Sequence, residues 1–175
     1  MKRLQYILYF IVISIFAFSL TKGNTDKNNK TEGENLKDIK PCELLTSEQV
    51  TTVLPGHDEG YVAKDGGSLI EGVDSYQCSY SNDNYDLFTV TIHVATNKKQ
   101  FKEIKPNPST IRMIHKNVLE LNIGDGGWLY GDPDDLKLKA IKGYTVIELE
   151  LTSENAEKKG DALVEIVSIL IEKIK

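Results

Sequence analysis

The residues able to do chemistry are few and scattered along this chain. The three histidines are His57, His93 and His115. His57 follows Pro55-Gly56 and stands beside Asp58 and Glu59, so it has the neighbours of a metal ligand or a general base. One imidazole does not define a coordination geometry, however, and a solvated loop histidine is the simpler reading. His93 falls among threonines on the polar side of an alternating run, and His115 lies in a stretch without a pattern.

Asp125, Asp132, Asp134 and Asp135 supply the oxygen ligands that calcium prefers. Their spacing is not that of a calcium-binding helix-loop-helix, and Pro133 among the aspartates makes an ordinary turn. Gly66-Gly67-Ser68 lacks the second flanking glycine that places a serine nucleophile on a strained elbow. No metal and no cofactor is expected.

The cysteines are Cys42 and Cys78. In an oxidising compartment an even pair favours a disulfide. Closing a loop of this length would remove about 3.5–4 kcal/mol of unfolded-state entropy. The competing reading is a metal site of both thiols with one of the histidines, but no C-x-x-C or H-x-x-x-H spacing supports it. Without C-x-x-C, a thiol-redox role has no support either.

Tyr76, Tyr80, Tyr85, Trp128, Tyr130 and Tyr144 lie in or near alternating runs. Tyrosine and tryptophan suit recognition surfaces because they bury a large area and keep a polar tip. Tyr76, Tyr80, Trp128 and Tyr130 are therefore the candidate interaction surface. The plainer alternative is core packing with the phenols at the rim.

The N-terminus says where these residues work. Lys2 and Arg3 precede an apolar stretch at 4–20, the pattern of an export signal. Small residues at Ala17 and Ser19, or at Thr21 and Gly23, would allow cleavage. About 17 apolar residues also reach the lower limit for a membrane anchor. Either way residues 1–23 place the rest outside the cytoplasm, periplasmic or secreted, with membrane contact only through 4–20 if they stay attached. Residues 24–40 are rich in Lys, Asn, Glu, Thr and Gly and read as a disordered linker. Asn29-Lys30-Thr31 within them fits a glycosylation sequon. The formal net charge is −5 for the 175 residues, and becomes −8 once the three bases of 1–23 are removed. Such a domain repels phosphate backbones, so nucleic acid is excluded as a partner, and anionic lipid surfaces are disfavoured.

Residues 41–175 read as one domain. Thr46 and Gln49 form a capping box, with Leu45 and Val50 as a staple, for a helix that buries Val50, Val53 and Leu54 and stops at Pro55-Gly56. A loop follows over 57–75, with one short strand near Tyr61 or Leu69-Ile70. Strands are predicted at 76–80 and 87–95, with a turn at 81–84. Asn97 caps a short helix carrying Phe101 and Ile104, which Pro106-Asn107-Pro108 ends.

Further strands are predicted at 118–121 and 128–130, after the turn Gly124-Asp125-Gly126-Gly127, and at 136–140 after Pro133-Asp134-Asp135. The last, 144–151, pairs with 136–140 as a hairpin through Lys142-Gly143, setting Glu148 and Glu150 against Lys137 and Lys139. Leu163, Ile166, Val167, Leu170, Ile171 and Ile174 stripe a long final helix. The fold expected is α+β and two-layered: an antiparallel sheet covered by the short N-terminal helix and the long C-terminal amphipathic helix.

Pro41-Cys42-Glu43-Leu44-Leu45-Thr46, the second cysteine in Cys78-Ser79-Tyr80, the turn Gly124-Asp125-Gly126-Gly127 and the terminal apolar helix together resemble a family. It is a family of small bacterial secreted lipoproteins of unknown function, and the likeness spans 41–175. It implies a Cys42–Cys78 disulfide and an envelope location, and it transfers no catalytic residue. The family's lipidated cysteine has no counterpart, since none precedes Cys42, and Tyr80 stands where the family often has tryptophan. The function expected is that of a non-enzymatic envelope module binding an envelope protein or a small ligand. The alternatives are a metal-dependent hydrolase using His57 and nearby acids, and a structural or inhibitory envelope protein.

Overall fold

A computed structural model describes residues 39–62 and 70–174. The expected export segment 1–23, the expected linker up to residue 38 with its sequon, and Gly66-Gly67-Ser68 lie outside the described residues. So does Leu69.

The described residues begin with a single helical turn, α1 (Pro41–Leu44), and a two-turn helix, α2 (Ser47–Val53). The expected capping box closes α2. Gln49 N–H donates to Thr46 Oγ1 at 3.3 Å and Thr46 N–H donates to Gln49 Oε1 at 2.9 Å. Val50 and Val53 are buried from this helix.

The strands are β1 (Tyr61–Val62), β2 (Val73–Ser81), β3 (Leu87–Ala95), β4 (Val118–Leu121), β5 (Gly126–Asp132), β6 (Asp135–Lys142) and β7 (Thr145–Thr152). They form one seven-stranded sheet in the order β1-β2-β3-β7-β6-β5-β4, antiparallel at every pairing. Two meanders, β1–β3 and β4–β7, thus meet at the β3–β7 seam. Between them run α3 (Lys98–Ile104) and α4 (Pro108–Ile114). The chain ends with a 3-10 turn at Ala156–Lys159 and α5 (Gly160–Lys173).

The mixed α+β class is as expected, but the sheet dominates more than the sequence indicated. Two elements explain the difference. Strand β2 starts at Val73 rather than Tyr76, because the nine-residue β3 pairs with it from end to end, Val73 against Ala95 included. Its partner holds Val73-Asp74-Ser75 in the ladder despite their weak alternation. The second element is α4. Asn107-Pro108 does not merely end α3: Asn107 Oδ1 accepts from Ser109 and Thr110 N–H at 3.0 and 3.4 Å. Pro108 then opens a new helix at the position where its missing N–H costs nothing. Gly126 and Gly127, expected in a turn, already belong to β5. Gly131 has φ +143°, and a Cβ there would stand 2.0 Å from Asp135 O, so the tight β5–β6 connection requires glycine.

One face of the sheet presents Cys78 and Tyr80 of β2, Phe88, Val90 and Ile92 of β3, Ile147, Leu149 and Leu151 of β7, and Leu136, Leu138 and Ala140 of β6. They share a core with Val50, Val53 and Leu54 of α2 and with Leu163, Ile166, Val167 and Leu170 of α5. Lys173 Nζ donates to Leu44 O at 2.6 Å, tying the end of α5 to α1. A second, smaller cluster lies on the other face, where Trp128, Tyr130 and Ile141 meet Ile111 of α4, flanked by Phe101 and Val118. No helix among the described residues is long and apolar enough to cross a membrane.

Candidate functional site

The Cys42–Cys78 disulfide is present, across 36 positions. It joins α1 to the middle of β2, and beside it opens a cleft of about 330 Å³. That is the lower end of the range for small-ligand sites. The disulfide, the capping box and the ordered turn after Pro55 fix its walls. Apolar walls come from Leu45 and Val50, and a polar rim from Ser47, Asp58 and Glu59.

His57 braces the loop on one side. Its Nδ1 lies 2.7 Å from Asp58 O, and its Nε2 lies 3.1 Å from Ser47 O and 3.3 Å from Ser47 Oγ. Both nitrogens thus have protein partners: a protonated nitrogen donates to the backbone carbonyl beside it, and an unprotonated Nε2 accepts from the Ser47 hydroxyl. Asp58 N–H donates to Ser81 O at 2.8 Å, which fastens the loop to β2. The imidazole is therefore a strut, with no nitrogen turned to a substrate.

Gly60 and Tyr80 form the floor. A Cβ at Gly60 would stand 2.4 Å from Tyr80 Cε1, 2.9 Å from Tyr80 Cζ and 2.7 Å from Cys78 Sγ, so only glycine lets the loop lie on the phenol and the disulfide. Tyr80 is 4% exposed. Its ring stacks on Phe88 at 6.0 Å and meets the His57 ring edge-on at 5.7 Å. Its hydroxyl is buried and has no hydrogen-bond partner among the described residues. Burial pushes the Tyr80 hydroxyl above the usual phenol range, so it stays neutral and able to donate. A buried hydroxyl without a partner costs about 1–3 kcal/mol, so this one calls for an explanation.

The polar face of the sheet carries a second constellation in rungs set by the register. Gln77, Thr91, Glu148, Lys139, Trp128 and Glu120 lie opposite one another in turn across β2, β3, β7, β6, β5 and β4. Lys139 Nζ donates to Glu148 Oε1 at 2.5 Å and Lys137 Nζ to Glu150 Oε1 at 3.2 Å, which are the cross-strand pairs the hairpin led us to expect. Burial draws the Lys137 ammonium down, but Glu150 and Asp135 outweigh it and leave it raised. Ser75 Oγ lies 2.7 Å from His93 Nδ1, and His93 Nε2 lies 3.9 Å from Glu148 Oε1. Burial lowers the His93 imidazole; Glu148 opposes this and Lys139 adds to it.

Serine, histidine and carboxylate in a row invite comparison with a nucleophilic triad. Here Glu148 is already held by Lys139. Ser75 also sits within a strand that pairs with β3, not on a turn of the kind that presents a nucleophile.

The four aromatics singled out in the sequence do not form one surface. Tyr76 and Tyr80 share the face of Cys78. Trp128 and Tyr130 occupy the opposite face, where they are 8% and 5% exposed beneath α4. Trp128 Nε1–H donates to Glu120 Oε1 at 3.4 Å, and the Tyr130 ring lies 4.8 Å from that of His115. Burial, then Glu148, Glu150 and Asp135, push the Tyr130 phenol well above its usual range. Tyr130 also lines a second cleft of about 350 Å³ with Val118, Leu119, Leu129 and Pro133.

Among the aspartates, Asp125 accepts from Gly143 N–H at 2.7 Å and Asp134 from Asn155 N–H at 2.9 Å, so both staple turns. No group of three His, Cys, Asp or Glu side chains among the described residues is placed to hold a metal ion. Sequence reasoning missed Ser47, Gly60 and the free Tyr80 hydroxyl as members of one site. Only the disulfide signalled that α1 and β2 meet.

No protein-family model, curated protein or solved structure matches the chain.

Proposed function

We propose that this protein is an exported, non-enzymatic binding module of the cell envelope, and that it takes a small polar ligand or a single side chain in the cleft beside the Cys42–Cys78 disulfide. The observation that carries this reading is Tyr80, which lines that cleft and whose hydroxyl is buried without a partner among the described residues. A ligand group that hydrogen-bonds it removes the cost of leaving it unpaired. The disulfide is compatible with an extracytoplasmic location. The basic and apolar N-terminal sequence and the likeness to small secreted lipoproteins point the same way. In this reading the domain is two-layered around its main core, with α2 and α5 covering the face that bears Tyr80; their shared apolar cluster supports it.

The test is a nuclear magnetic resonance titration of the non-reduced chain with a fragment collection. Amide shifts centred on Ser47, His57, Gly60 and Tyr80 are expected. Shifts centred on the Tyr130 cleft, or none at any site, would overturn the assignment.

A further inference from the structure

We infer that β4 is a docking edge for a second copy of this chain, the two β4 strands pairing antiparallel about a two-fold axis at Val118. Strand β4 ends the sheet and pairs only with β5, so its outer backbone groups have no strand partner among the described residues. A free edge is a template for another strand unless it is shortened, charged or interrupted by proline. The opposite edge is shortened, since β1 has two residues. Strand β4, Val118-Leu119-Glu120-Leu121, has no proline. Its one charge, Glu120, is already held by Arg112 and by Trp128 Nε1–H, and both contacts use Oε1.

Two features commit the edge to a copy of itself. The first is apolar surface. Leu119 is 57% exposed, and Met113 and Ile114 at the end of α4 are 80% and 65% exposed. Leu119 lies opposite Leu129 on the face of the main core, whereas α4 lies on the other face. Ile114 is four residues from Val118, so about 14 Å of chain at most separates them. Exposed apolar groups therefore flank the edge on both sides of the sheet.

The second feature is charge. A two-fold axis perpendicular to a sheet passes between one residue and its own mate, so β4 meets its copy only about Val118, Leu119, Glu120 or Leu121. About Glu120, the two Glu120 carboxylates would oppose each other. About Val118, Lys116 of each copy stands opposite Glu120 of the other, and the two Leu119 side chains meet diagonally on one face. Of the four registers, only this one sets opposite charges face to face, and it does so twice. Lys116 is exposed and has no ion pair among the described residues, and Oε2 of Glu120 is the atom it would reach.

Sedimentation equilibrium of the non-reduced protein, in the form its host exports, tests this. A reversible monomer–dimer equilibrium is expected, with a dissociation constant of about 0.1 mM, because so short an edge makes a small, transient interface. Leu119→Lys should weaken it at least about tenfold by placing like charges across the axis. Lys116→Glu and Glu120→Lys should each weaken it about tenfold when alone, since two like-charge pairs then face each other. An equimolar mixture of those two variants should dimerise as well as the original protein, because both facing pairs are again opposite in sign. Thermal midpoints show whether each variant is folded. Should Glu120→Lys unfold for want of its Arg112 and Trp128 contacts, Leu119→Lys and Lys116→Glu carry the test. A protein that stays monomeric to about 1 mM, tenfold above the expected constant, would overturn the proposal and leave the edge to a different chain. So would a dimer indifferent to Leu119→Lys, or a mixture that pairs no better than its components. A ladder of higher oligomers would also overturn it, since head-to-tail pairing of β4 with β1 does not close.

Discussion

At the scale of single residues, His93 shows how the polar face of the sheet is maintained. Its Nδ1 lies 2.7 Å from the Ser75 hydroxyl, and it faces Glu148 and Lys139. Because burial lowers the imidazole in the folded state, the unfolded chain binds its proton first. Stability from this group is therefore full above its ordinary value of 6.5 and is lost as pH falls below that point. Urea denaturation at pH 7.5 and pH 5.5 should show the intact protein losing stability over that interval, and His93→Asn losing less of it. Equal losses would mean that the carboxylates alone set the slope. In sequence His93 looked like a surface histidine among threonines. Its register against Ser75 and Val146 places it instead in a half-buried chain of hydrogen bonds.

At the scale of elements, the local signals were readable wherever a short stretch carried its own stop or start. The capping box at Thr46 and Gln49, the bounds of the strand at 87–95, the cap at Asn97 and the Lys-Gly hairpin all describe the folded chain. Replacing Thr46 by Ala should lower stability by about 1 kcal/mol, the usual worth of such a cap. Chemical denaturation would measure it, and a change below about 0.3 kcal/mol would show that the disulfide alone holds α1 and α2 in place.

What the sequence concealed was set by partners. Val73-Asp74-Ser75 became strand because β3 is long enough to pair with it, and Asn107-Pro108 served as a start where it looked like a stop. Likewise, Trp128 and Tyr130 resembled a recognition surface until α4, an element with little amphipathic pattern, covered them. The cleft was hidden for the same reason. Ser47, Gly60 and Tyr80 are adjacent only once α2, the loop and β2 have assembled.

At the scale of the whole molecule, a single cross-link joins α1 to a central position in β2, and apolar residues of α5 share the core cluster of the same face. The disulfide constrains 36 positions of chain, so the double variant Cys42→Ser, Cys78→Ser should lose about 3.5–4 kcal/mol. That is a large share of the 5–15 kcal/mol typical of a domain. Equilibrium denaturation of the variant against the oxidised protein measures this. A loss under about 1 kcal/mol would mean that the α2–α5 core holds the N-terminal elements without help.

The central claim is that the Tyr80 hydroxyl serves a ligand and not the fold. Tyr80→Phe tests it most directly, by comparing the stability of the two proteins in the absence of ligand. An unpaired buried hydroxyl costs about 1–3 kcal/mol, so its removal should leave the empty domain more stable by about 1 kcal/mol while weakening ligand binding at the cleft. A variant less stable by about 1 kcal/mol, the usual loss of a satisfied hydrogen bond, would show that the hydroxyl is structural and contradict the account.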